Sequence, residues 1–423
     1  MTTLQEAHPA LARGWNLEAI RARLSGASRL RYTLYMYLAS RVLYLGIAAI
    51  ALAVADTIGA HTGMAHTLNQ ELKPLSQSTL ASEFSNWDGK WYLLTAATWY
   101  GHHVAMHAGD YTTLGFMPLY SMLMWLLAHI LPIGNLGAGL VISLIGGGVA
   151  TVLIGELAAD WWGEERARRA IQFWCFFPGT VVFSMVYSEG LTLALISGAM
   201  LLLARRRWLW AGVCAGFATA VAPAALSAVP MCAAPALIEL YRRGWRDREA
   251  RRALIAPLLA PAGAIGFGIF LWFWTGSPLA DYTAQHVEWS ESTTPLAIPR
   301  VAIQFVHQLF VAGVGKHGPG GIDLNGVAAL LGTAFVLWAF KLLWEHRSRV
   351  PLSAWVWSIC VSVLALTSAK TPPNPRLLIV AFPLVMVVGA VLSERGHKLA
   401  MRWAVAATVV MTPITYIGMW LRP

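Results

Sequence analysis

Charged residues are scarce in this chain: Asp, Glu, Lys and Arg make up 12% of its 423 residues, where a soluble domain carries roughly a quarter. Hydrophobic residues reach 57%, more apolar surface than a single soluble core absorbs, so an ordinary water-soluble globule is excluded. Cysteine is rare as well. Cys175, Cys214, Cys232 and Cys360 all lie inside apolar runs without CxxC spacing, which excludes a disulfide framework or a cysteine zinc site and leaves small packing residues. No Asn-x-Ser/Thr sequon occurs, which fits a bacterial plasma membrane. A dedicated basic domain is missing too, although the formal charge is +10. The basic residues fall in short clusters between apolar runs: Arg13, Arg21, Arg23, Arg29 and Arg31, then Arg205, Arg206 and Arg207, then six arginines from Arg242 to Arg252. Such clusters mark the cytoplasmic ends of membrane helices and do not form a face that grips a phosphate backbone, so nucleic acid is excluded as a partner.

What is present is apolar length. A spanning helix needs about 20 apolar residues. Runs that approach this occupy 33–56, 137–159, 170–187, 188–204, 208–221, 223–240, 253–275, 322–344, 351–368, 377–393 and 401–420. With two further runs, 116–133 and 300–314, the expected fold is an all-α, polytopic transmembrane helical bundle of about 11–13 spans. No internal repeat appears. A polar segment, 1–32, precedes one membrane domain over 33–420, and the first apolar run is too long for a signal-peptide core, so it reads as a retained helix. Twenty tryptophans and twelve tyrosines suit a chain with two bilayer interfaces.

The arginine clusters place the N-terminus, 160–169, 205–207, 242–252, 345–349 and 394–398 in the cytoplasm. The loops 57–115, 276–321 and 369–376 and the turn near 187–189 are then external. No lysine or arginine lies between 115 and 136, so 116–133, like 300–314, is expected as a re-entrant or interfacial helix on the external side. Loops longer than about 15 residues are usually functional, and the long ones all face outward.

Several external residues have chemistry to offer. Asp88 lies between Trp87 and Trp91, and Lys90 and Tyr92 follow. A carboxylate beside aromatic faces has the parts for sugar chemistry, an oxygen to accept a hydroxyl proton and rings to stack on a pyranose. Equally, Asp88 can cap the helix that begins near Gly89, with the aromatics in an interface belt. His102, His103, His107 and Asp110 invite a metal, but their spacing is irregular and no cysteine joins them; a divalent metal is not favoured and no cofactor is required. Tyr187 and Glu189 lie at an external helix junction, for a structural hydrogen bond or a substrate contact. Gln285, His286 and Trp289 are spaced to share one helical face. Lys370 and Arg376 bracket a proline-rich turn on the side that basic residues avoid. Basic residues held there want an anion, and a lipid-carrier phosphate at headgroup level is the natural one; snorkelling to headgroups is the alternative.

In order, these segments resemble the PIG-V family, whose eukaryotic members add the second mannose in GPI-anchor synthesis and which has bacterial relatives. The resemblance runs from about 84 to 390 and rests on Trp87-Asp88-Gly89-Lys90-Trp91-Tyr92, on Phe116-Met117-Pro118-Leu119-Tyr120, on Phe177-Pro178 with Tyr187-Ser188-Glu189, on Pro278-Leu279-Ala280 with Gln285 and Trp289, and on Arg376-Leu377-Leu378 with Phe382-Pro383-Leu384. The chain departs from the pattern at Ala222, before Pro223, and at Asn86, where relatives carry arginine. The resemblance implies a GT-C glycosyltransferase that moves a sugar, mannose above all, from a polyprenyl-phosphate donor to a glycolipid, glycan or protein acceptor outside a plasma membrane. Asp88 would then be general base in an inverting transfer, Arg376 with Lys370 and Lys90 would hold the phosphate, and Trp87, Trp91, Tyr92, Tyr120, Tyr187, Glu189, Gln285, His286 and Trp289 would bind substrate. A transporter or flippase is the alternative, with charges and broken helices inside the membrane as its signature; a non-catalytic scaffold of the same fold is another.

Overall fold

The computed structural model describes residues 17–57, 84–104, 106–107, 111–310 and 323–417. Among the described residues the chain is all-α, with 3-10 turns between helices and one isolated antiparallel bridge, Thr293 to Ser368. Among the described residues four helices are long and apolar enough to cross a membrane: Gly26–Val54, Gly134–Trp162, Pro223–Arg243 and Leu324–Glu345. Two bent pairs pass the same test, Pro178–Ser184 with Glu189–Ala204 at 109° and Arg248–Leu259 with Ala262–Thr275 at 41°. Pro118–Ile130, Trp208–Thr219, Leu352–Thr367 and Phe382–Val391 are shorter apolar helices. The result is a polytopic helical bundle, the architecture of a multi-pass membrane protein.

The element boundaries depart from the apolar runs where proline intervenes. Run 170–187 is not one span: a helix over Glu164–Cys175 stops before Pro178, and a 3-10 segment, Pro178–Ser184, leads to a sharp turn into Glu189–Ala204. Proline cannot continue the hydrogen-bond ladder and restricts the residue before it. Run 377–393 likewise splits into Pro375–Val380 and Phe382–Val391, where Pro383 removes an amide donor. The segment 116–133 becomes the 13-residue helix Pro118–Ile130, about 20 Å long at 1.5 Å per residue and shorter than a bilayer core. The first helix, Leu17–Thr57, begins well inside the segment read as polar.

The broken backbone at Phe177–Ser184 is made tenable by Arg41. Its guanidinium, 4% exposed, donates to Thr180 O at 2.6 Å, to Cys175 O at 3.4 Å and to the hydroxyls of Thr180 and Ser184 at 3.1 and 3.2 Å. The rings of Tyr44 and Tyr37 lie 4.5 and 5.1 Å from it. A buried arginine with a full set of neutral acceptors replaces the ladder that the proline ended.

Small residues bring the next helices into backbone contact. A Cβ on Gly190 would sit 2.6 Å from Ser143 O, and one on Gly146 2.7 Å from Gly190 C, so Glu189–Ala204 lies directly against Gly134–Trp162. The arginine clusters meet at one end of this pair. Arg29 binds Glu156 at 2.7 Å and also Glu164, Arg243 binds Glu239 at 2.9 Å, and Arg206 binds that same Glu239. Glu189 begins its helix at the other end, roughly 24 Å away over 16 residues.

Candidate active site

At the end away from the arginines, three chain segments meet. The first is the turn into the helix Asp88–Thr98. Gly89 lets this helix approach the next segment closely, since a Cβ there would lie 3.0 Å from Val186 O. Trp87, just before the helix, has φ 62° and ψ −121°, a left-handed conformation that non-glycine residues rarely adopt. No side chain among the described residues caps this helix, and Asp88 is its first residue, so the capping reading of Asp88 does not hold. Asp88 instead turns its carboxylate outward to Arg376, whose Nη1 lies 2.6 Å from Asp88 Oδ2.

The second segment is the turn before Glu189–Ala204. Glu189 is the first residue of that helix, where the unpaired amides favour a negative charge. It accepts a bond from Arg376 Nε, and its other oxygen, Oε2, is buried without a hydrogen-bond partner among the described residues. The third segment carries Arg376. Asn374 caps its helix by accepting from Leu377 N at 2.9 Å, and Gly179 seats the helix, because a Cβ there would fall 1.9 Å from Pro375 O. The Arg376 guanidinium lies over the Tyr187 ring at 4.6 Å. Burial opposes the charge on Arg376, but Asp88 and Glu189 outweigh it and hold the guanidinium protonated well above its ordinary range. Arg376 thus supplies the positive charge between two carboxylates.

Behind this trio the tyrosines form a support. Tyr187 and Tyr120 have no exposed surface. The Tyr187 hydroxyl donates to Asn86 O at 3.0 Å, Ser143 Oγ donates to Tyr187 O at 2.8 Å, and the Tyr120 hydroxyl donates to Gly139 O at 3.0 Å. The Tyr92 hydroxyl pairs with Ser188 Oγ at 2.8 Å; burial, with Glu189 and Asp88 adding to it, pushes it well above the usual tyrosine range, so it stays protonated. These three side chains orient the trio from beneath and offer no face to a ligand.

Beside the trio, Trp91 meets Trp289 edge-on at 5.4 Å, and Tyr111 packs on both rings at 5.8 and 4.7 Å. Trp289 Nε1 is buried without a partner among the described residues. Trp87 is half-buried. Trp289 arrives here because residues Ala284–Glu288 form a π-helical turn. With that wider winding Gln285 and Trp289 face the 111–116 loop, Gln285 donating to Gly115 O at 2.8 Å, while His286 turns outward onto the Tyr282 ring. The shared face of Gln285, His286 and Trp289 is therefore not formed. Lys370 is exposed on the loop leading to Arg376, and Lys90 is buried two positions past Asp88, a spacing that puts the two on different helix faces.

Loop-to-loop bonds that spacing did not reveal hold this end closed. Buried Glu288 accepts from Thr112 N at 2.8 Å and Thr112 Oγ1 at 2.6 Å. Glu291 accepts from Ser368 Oγ at 2.8 Å and Thr371 Oγ1 at 3.0 Å, and Ala369 N donates to Ser292 O at 2.9 Å. Two acidic residues three apart in an aromatic loop were the available signal. For a metal, no group of three His, Cys, Asp or Glu gathers among the described residues. His102 stacks on Trp274 at 4.0 Å, His103 and His107 are exposed, and Asp110 lies outside the described residues.

No known family model matches this chain, and no curated protein does. Among solved structures, the apo oligosaccharyltransferase of Archaeoglobus fulgidus is 14% identical, with TM-score 0.42, over 90% of this chain and 57% of that one. The same enzyme tethered to an acceptor peptide with an NVT sequon is 13% identical, TM-score 0.40, over 90% and 56%. Its complex with an inhibitory peptide and a dolichol-phosphate is 13% identical, TM-score 0.42, over 79% and 52%. The chain spans just over half the length of these structures.

Proposed function

We propose that this protein is a membrane glycosyltransferase of the GT-C type, moving a sugar from a polyprenyl-phosphate donor to a glycolipid, glycan or protein acceptor on the external face of a plasma membrane. The observation that carries the reading is the partly open pairing of Asp88 with Arg376, at the end of the bundle away from the arginine clusters. A base and a cation side by side are what such a transfer asks for. Asp88 takes the acceptor hydroxyl proton as that oxygen attacks the anomeric carbon. The bond from carbon to phosphate oxygen breaks with its electron pair, and the configuration inverts. The departing phosphate monoester has a second pKa near 6, so its exit depends on positive charge more than on a general acid. Arg376 is the cation in place, and Lys370 on the adjoining loop is the second candidate. Exposed Tyr111 and half-buried Trp289, backed by the buried Trp91 ring, are suited to a pyranose ring. The motif order that resembles the PIG-V family makes mannose the first sugar to try.

The test is transfer by purified protein from polyprenyl-phosphate mannose to extracted membrane glycolipids. Asp88→Asn should lower turnover about 10²-fold or more, the range of general base catalysis. Retained turnover in that variant removes the base assignment. Absence of transfer by the natural chain, together with uptake into proteoliposomes, would turn the reading to transport.

A further inference from the structure

Arg376 is shared unequally between its two carboxylates. Its Nε faces Glu189, whose side chain is 9% exposed, while its Nη1 faces Asp88, which is 33% exposed; Arg376 itself is 19% exposed. The buried side is held on every hand: Tyr187 lies under the guanidinium plane, Gly179 and Pro375 fix the backbone, and Glu189 begins a helix locked against Ser143 and Gly147. Glu189 reaches little water, so leaving Arg376 would strand a buried charge. Asp88 stands at the open edge, where water or a ligand oxygen can take its place. An Asp88 oxygen that accepts a guanidinium N–H has one lone pair fewer for a hydroxyl proton. The arrangement as it stands holds the base engaged.

We infer that Glu189 is the fixed anchor of Arg376, and that a donor phosphate displaces Asp88 from Nη1 and so frees Asp88 as the base. This rests on the proposed reading of Asp88 and Arg376, and it adds a positioning residue and an order of events. The phosphate oxygens are the only new ligands the guanidinium needs, and the forked guanidinium can hold Glu189 through Nε while it presents its outer edge to phosphate. The negative charge on phosphate grows as the sugar leaves, so the exchange tightens toward the transition state. An acceptor that arrives before the donor meets a base still paired.

The probe is farnesyl phosphate, a polyprenyl phosphate without sugar, and its binding is measured by calorimetry on the full chain in detergent. Asp88→Asn removes the competitor for Nη1 and should bind the probe about tenfold tighter than the natural chain. Glu189→Asp keeps the charge but draws the anchor back by one methylene, and should bind it several-fold more weakly in a chain that still folds. Arg376→Gln should lose binding; where it fails to fold, Arg376→Lys, with one ammonium in place of a fork, should bind more weakly. Equal binding by the natural chain and Asp88→Asn overturns the exchange, and equal binding by Glu189→Asp overturns the anchor. Equal binding in both Arg376 variants overturns the phosphate role itself, which is a separate failure.

Discussion

Arg376 and Arg41 are both largely withdrawn from water, and they are satisfied in opposite ways. Arg376 is surrounded by charge, Asp88 and Glu189, and sits where a ligand can reach it. Arg41 meets hydroxyls, carbonyls and aromatic rings, and no carboxylate is paired with it among the described residues. A charge inside a membrane helix is a functional signal by default, and it would favour the transport reading if Arg41 faced a path. Every partner of Arg41 among the described residues belongs instead to its own helix or to the broken segment 175–184, so its role is to hold that segment. Arg41→Met should destabilise the fold, at about 1–3 kcal/mol for each buried acceptor left unmet. Arg41→Lys should recover little of it, because one ammonium cannot stand in for both Nη1, on Thr180 O and Ser184 Oγ, and Nη2, on Cys175 O and Thr180 Oγ1. Thermal unfolding in detergent measures both variants, and natural-like stability in Arg41→Met would show the segment to be self-supporting.

At the scale of the element, the site is made by helix ends and by the breaks between them. Asp88 and Glu189 are first residues of their helices, and Arg376 follows the Asn374 cap. Helix starts are sound places for carboxylates, whose charge complements the unpaired amides. Two glycines bring the three starts together: Gly89 seats the first helix against Val186, and Gly179, in the 3-10 segment whose proline ended the preceding helix, seats the third against Pro375. A methyl group there would fall 1.9 Å from Pro375 O, and backbone cannot yield as a side-chain tip can. Gly179→Ala should therefore push Pro375–Val380 away and part Arg376 from both carboxylates. The expected outcome is loss of farnesyl phosphate binding comparable to that of Arg376→Gln, with a lower melting temperature. Binding at the natural level in a folded Gly179→Ala would mean that the two segments separate without moving the site.

For the whole molecule the governing fact is polarity along the bundle. Arg29, Arg206 and Arg243 gather with Glu156, Glu164 and Glu239 at one end, and the trio and its interlocked loops occupy the other. If the arginine end is cytoplasmic, as the positive-inside rule requires, the trio faces outward. Single cysteines at His286 and Arg246, in a chain with its four natural cysteines replaced, report this directly in intact cells. A membrane-impermeant maleimide should label position 286 at once and position 246 only after permeabilisation. The reverse pattern would place the site in the cytoplasm and rule out an external acceptor.

The helical, multi-pass character was legible in the apolar runs, because lipid tolerates little else. The clustering of arginines at one end was legible too, since each cluster marks a helix end irrespective of how the helices pack. Local signals also singled out Asp88, Glu189 and Arg376 as polar residues out of place. They could not say that Arg376 lies between the other two, 187 residues from Glu189 in the chain, because that depends on a glycine contact between distant backbones. Nor did spacing separate residues that face a ligand from those that support the ones that do. Tyr120 and Tyr187 read like Trp87 in sequence, and only packing shows them sealed beneath the trio while Trp87 stays half-buried. The turn at Ala284–Glu288 makes the same point, since one extra residue in the winding sends Trp289 inward and His286 out. Composition and periodicity determine which residues enter the membrane and where the charges lie along the chain; which charges meet is decided by close approach of backbones, a property of pairs of segments that neither segment carries alone.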